Sequence, residues 1–179
     1  MEKREVISLV IRYGILLLIG LANLFLADKG LFYTIFTPLT VYPSYYVFNY
    51  LYDAILISSN VIFFKGYYAQ IIPACIAGSA YYLLLILNMT TPMKIGKRFA
   101  SIIFLMITFL VLNVLRIVFF GTLLFKGYQY FDIAHVYTWY FGSTLLVVLI
   151  WFVNVFAFKI RAIPLYGDIK PLFTELIKR

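Results

Sequence analysis

The chain has 179 residues, of which 64% are hydrophobic and 12% charged, with a mean hydropathy of +0.97. That balance excludes an ordinary soluble domain and marks a single integral membrane domain over residues 1–179. The net charge of +8 reads as a topology signal and not as affinity for nucleic acid, because the lysines and arginines gather beside apolar runs.

In chain order, the first apolar run covers about residues 6–27. It is too long for a signal-peptide core and lacks a clear small-residue cleavage site, so it is expected to stay as a span. Next comes LFYTIFTPLTVYPSYYVFNYLYD, residues 31–53. It is apolar enough to cross once, but Pro38 and Pro43 are expected to break helical hydrogen bonding, which makes it a re-entrant or additional membrane segment.

Residues 54–74 differ in texture. Short runs of Ile, Val, Phe and Tyr are punctuated by Ser58-Ser59-Asn60 and by Lys65-Gly66, which predicts a small β-hairpin. Its last strand leads through Pro73 to Cys75, the only cysteine. Spans are then expected at about 75–90, 98–125 and 134–158, near or above the ~20 residues that cross a hydrocarbon core, the first of them marginal. The fold class is thus an all-α polytopic membrane helical bundle with a small extracytoplasmic β-hairpin before the cysteine.

Charge assigns the sides. Placing the N-terminus, residues 90–98 and residues 159–179 in the cytoplasm puts eleven of fifteen basic residues inside and leaves Lys29, Lys65, Arg116 and Lys126 toward the outer side. The 54–74 hairpin and Cys75 then face out. A proline ahead of the cysteine suits a first helical turn, where the amides lack intrahelical partners and favour a thiolate.

Two further residues stand out. Arg116, in LNVLRIVFF, is the single charge between Arg98 and Lys126, and lies 18 residues beyond Arg98, about 27 Å along a helix. His135, the only histidine, opens the last span in YFDIAHVYTWY. Either could be interfacial: an arginine snorkelling to headgroups, or a satisfied histidine. Yet three chemically special side chains from three segments fall at one depth. A thiol nucleophile, a proton-carrying imidazole and a guanidinium that steadies an oxyanion form an acyl-transfer set needing neither cofactor nor metal. Asp132, three residues before His135, is a candidate to orient the imidazole or to cap its helix.

PACIAG after the hairpin, N-x-x-R as Asn113 and Arg116, and a histidine opening the next span together resemble the archaeosortase/exosortase family over about residues 50–160. Ile76 stands where the more usual pattern has serine or threonine. The resemblance implies a transpeptidase of the cytoplasmic membrane, with Cys75 as nucleophile, Arg116 and His135 as its partners, and Asn113 in a supporting place. It also implies substrates: exported proteins ending in a short motif, a transmembrane helix and a basic tail, with a lipid among the acyl acceptors. Competing readings fare worse. A non-catalytic transporter subunit or assembly factor leaves the shared depth unexplained, and the H-E-x-x-H of membrane metalloproteases is absent, as no glutamate stands between Glu5 and Glu175.

Overall fold

The computed structural model describes residues 30–160 together with 11, 13–15, 17, 18 and 20. The span expected at 6–27 falls largely outside these residues, although the described positions from 11 to 20 are helical, and the basic tail beyond residue 160 lies outside them altogether. Helix α1 runs Leu31–Tyr52 and is followed by β1 (Ile55–Ser58), β2 (Val61–Phe64) and β3 (Tyr67–Gln70). Then come a one-turn α2 (Pro73–Ile76), α3 (Gly78–Thr90), α4 (Ile95–Phe125), α5 (Phe131–Tyr137), a π-helical turn (Thr138–Gly142) and α6 (Ser143–Ala157). Among the described residues, three continuous or nearly continuous helical segments, Pro73–Thr90, Ile95–Phe125 and Phe131–Ala157, are long and apolar enough to cross a membrane.

The long helix α4 is the post around which the bundle forms, packing against α1, α3 and α6. Its faces are inverted relative to a soluble helix. Ile103, Ile107, Val111, Leu115 and Phe119 form an exposed apolar stripe at four-residue spacing, whereas the buried stripe Ser101, Leu105, Phe109 and Asn113 carries the polar groups. In lipid the outer face needs no polarity, so uncharged polar side chains serve as helix-to-helix hydrogen bonds instead.

Helix α1 corrects one expectation. Its prolines do not interrupt it: 22 residues form one helix with Pro38 and Pro43 inside, so the expected break in helical hydrogen bonding is absent. Both rings lie on the exposed face. On the opposite face Phe32, Phe36, Thr40, Ser44 and Phe48, each four residues from the last, are buried, and that continuous packing outweighs the two missing amide donors. Phe36 stacks on Tyr81 of α3 with centroids 3.6 Å apart, and Tyr81 meets Phe109 of α4 edge-on at 4.7 Å. Phe48 fills the notch left by Gly121, where a Cβ would collide with its ring.

The hairpin expected at 54–74 is a three-stranded antiparallel meander in the order β1-β2-β3. Both turn signals act as separate turns. At the second, Lys65 (φ 47°) and Gly66 (φ 89°) both have positive φ, as a two-residue hairpin loop requires. Ile62 and Phe64 of β2 alternate into the core, and Phe64 stacks on Phe48 at 4.6 Å, which fixes the sheet to the end of α1. Asn60 then closes the meander: Ile71 N–H donates to its carbonyl at 2.8 Å and its Nδ2 donates to Ile71 O at 3.2 Å. The chain therefore leaves the sheet from a fixed point two residues before Pro73.

Candidate active site

Cys75 sits in a backbone built to bend. Ile72 is extended (φ −89°, ψ 166°) and Pro73 opens a helix of only four residues. The expected single helix start is a broken one, because Ala77 adopts the left-handed conformation (φ 57°, ψ 46°) before α3 restarts at Gly78. A left-handed alanine costs on the order of 1–2 kcal/mol. It also withdraws the amides that would continue the helix, leaving the Cys75 and Ile76 carbonyls without α-helical donors. Asn113, fully buried on α4, supplies the substitute: its Nδ2 donates to Cys75 O at 2.8 Å and to Ile76 O at 3.5 Å. Gly78 completes the bend, since the Tyr33 ring lies where its Cβ would stand, with Cζ at 2.9 Å.

The bend sends neighbouring side chains in opposite directions. Ile76 is 1% exposed and joins the core, whereas Cys75 is half-buried and lines a cavity. The apolar residue after the cysteine is thus a packing residue. A one-turn helix contributes little dipole, and the Cys75 amide already donates to Ile72 O at 2.8 Å, so the free first-turn amide expected at the cysteine is engaged.

The charge that borders the same cavity is Arg116. Cys75, Arg116 and His135 line one cavity of about 180 Å³, together with Ile72, Ala74, Phe120, Thr138 and Trp139. Arg116 does not lie along the outer surface of α4. Its Nη1 donates to Ser143 Oγ at 2.5 Å, and no carboxylate pairs with it among the described residues. A guanidinium drawn into an apolar cavity with one hydroxyl partner keeps further N–H groups for whatever enters.

His135 is held by rings. Its imidazole stacks on Phe131 at 5.6 Å (6°) and meets Phe120 edge-on at 5.2 Å, and among the described residues no side chain hydrogen-bonds it. Asp132 stands in the first turn of α5. It is exposed, it does not border the cavity, the N-cap of α5 is Tyr130, and the place beside the imidazole is taken by Phe131 one turn back on the helix. Sequence reasoning missed Ser143, Thr138 and Trp139. Their placement depends on the π-helical turn at Thr138–Gly142, for which TWYFG carries no evident signal.

Among the described residues no group of three or more His, Cys, Asp or Glu side chains could hold a metal ion. Comparison with family models, curated proteins and solved structures gives no match to this chain.

Proposed function

We propose that this protein is a membrane-embedded cysteine transpeptidase of the archaeosortase/exosortase type, acting at the extracytoplasmic face of the cytoplasmic membrane. The observation that supports it most is the convergence of a lone thiol, a lone imidazole and the single charge between Arg98 and Lys126 on one small cavity. Cys75 Sγ, its proton passed to His135, attacks the scissile carbonyl carbon of an exported protein. The oxyanion that forms is met by the free N–H groups of Arg116. His135 protonates the departing amine as the tetrahedral intermediate collapses, leaving an acyl thioester on Sγ. An acceptor nucleophile, a lipid hydroxyl or amine or else water, then loses its proton to His135 as it attacks the thioester. Cys75 departs as the thiolate.

The bundle suits such a substrate. A substrate helix alongside the exposed apolar stripes would hold its cleavage site at the depth of Cys75, with a basic tail on the cytoplasmic side. The eleven-to-four distribution of basic residues supports this orientation.

The test is a deletion of the gene in its native host, complemented with the wild type or Cys75→Ala, with the C-termini of exported membrane-anchored proteins mapped by mass spectrometry. The proposal expects a set of proteins truncated only with the wild type. Equal truncation with Cys75→Ala would refute it.

A further inference from the structure

The π-helical turn separates His135 from Ser143 in the helical run Phe131–Ala157, and it sets their relative direction. Eight residues of α-helix would leave the two side chains ~80° apart at ~100° per residue. One extra residue accommodated in a π turn takes out about one residue's rotation, which brings them to within ~20° of each other. His135 and Ser143 thereby come to one side of the helix, the side that meets α4. There His135 lies edge-on to Phe120 and Ser143 Oγ accepts from Arg116 Nη1, while Ser143 Oγ in turn reaches back to Thr138 O at 3.5 Å across the turn.

Ser143 also borders a second, larger cavity of about 570 Å³, which shares Ala74 and Trp139 with the first. The Arg116–Ser143 bond therefore lies at the join between the two spaces. Without it, a long, otherwise unanchored guanidinium has two places to go.

From this we infer that Ser143 is a positioning residue: its hydroxyl, set in register by the π turn, holds the Arg116 guanidinium at the Cys75 cavity and keeps it from swinging into the larger one. The inference rests on the catalytic reading of Cys75 and Arg116 given above. Ser143 touches no reacting atom and acts through the arginine alone.

Since Cys75 is the only thiol in the chain, the position of the cation can be read without knowing the natural substrate. The purified full-length protein in detergent is reacted with a neutral probe, methyl methanethiosulfonate, and an anionic one, sulfonatoethyl methanethiosulfonate, and the ratio of anionic to neutral rates is compared. A guanidinium beside the thiol raises this ratio, and general loosening of the bundle shifts both rates together. Ser143→Ala should lower the ratio roughly threefold to tenfold, towards that of Arg116→Ala, because a charge displaced by several ångströms interacts much less. Ser143→Thr keeps the hydroxyl and should keep the ratio near wild type. A Ser143→Ala ratio within about twofold of wild type, with Arg116→Ala low, would overturn the role of Ser143 and leave the catalytic reading standing. An Arg116→Ala ratio equal to wild type would overturn both, as no cation would then stand at the thiol. A low ratio in both Ser143→Ala and Ser143→Thr would also overturn the inference, since the hydroxyl would not be what matters.

Discussion

Two arginines on α4, 18 residues apart, are used in opposite ways. Arg98 closes the end of α3: Nη1 donates to Asn88 O at 2.7 Å and Met89 O at 2.9 Å, and Nη2 to Thr91 O at 3.0 Å. Those carbonyls close the C-terminal end of α3, where Asn88 O also accepts from Thr91 N–H at 3.3 Å, and a cation there matches the helix dipole. Beside it, buried Asn88 donates to Ser101 at 2.6 Å and Ser101 to Asn154 at 2.8 Å, tying α3, α4 and α6 together. Arg116 instead makes one bond to a hydroxyl and borders a cavity with a thiol and an imidazole. One arginine is spent on the scaffold. The other is held available. Under the proposed function, what separates a structural from a catalytic cation in this bundle is how many of its donors the fold consumes.

The comparison is broken most sharply by exchanging the outcomes. Arg116→Ala is expected to lower processing by about 10³-fold, the scale of losing an oxyanion donor, with little change in thermal stability. Processing is followed by mass spectrometry of exported proteins, and stability by melting in detergent. Insertion of one alanine after the exposed Tyr140 adds about 100° of helix between His135 and Ser143 and turns them away from each other. It should cost on the order of 10²-fold in processing, as sub-ångström placement of catalytic groups is lost, while the helix itself persists by circular dichroism.

Arg98→Ala should do the reverse of Arg116→Ala. Losing charge-assisted bonds to the α3 terminus is expected to reduce stability by about 2–3 kcal/mol, measured by denaturant titration in mixed micelles, and to leave the alkylation rate of Cys75 unchanged. The smallest effect is expected from Asp132→Ala. Being exposed and clear of the cavity, its removal should leave processing within about twofold of wild type. A large loss there would mean that the carboxylate orients His135 after all.

How much of this was legible in the sequence follows from the kind of signal involved. Long apolar runs and lone chemical groups are local properties, so the three spans from Pro73 onward emerge within a few residues of their observed ends, and Cys75, Arg116 and His135 were readable as candidates. The two prolines of α1 misled because each is a strong local breaker. The signal that overrode them, Phe32, Phe36, Thr40, Ser44 and Phe48 at four-residue spacing, was also present, but two of its five members are hydroxylic and look like a surface. In a membrane protein a buried face tolerates such residues, so polarity no longer marks the outside. The sheet was under-read because Ser59-Asn60 and Lys65-Gly66 are separate turns, giving three strands. Least legible was the register of the last helix. A single π turn moves every later side chain by about a quarter of the circumference, and no residue in TWYFG announces it.

The central claim is that Cys75 carries the acyl group between substrate and acceptor. The most direct test is to isolate the full-length protein from its native host at mildly acidic pH, without thiol reagents, and examine the Cys75 peptide by mass spectrometry before and after neutral hydroxylamine. The account predicts a covalent acyl adduct on Cys75 that hydroxylamine releases, and that is reduced in His135→Ala, which lacks the acid for the departing amine. A Cys75 that remains a free thiol in both proteins, while exported proteins are still truncated, would contradict it.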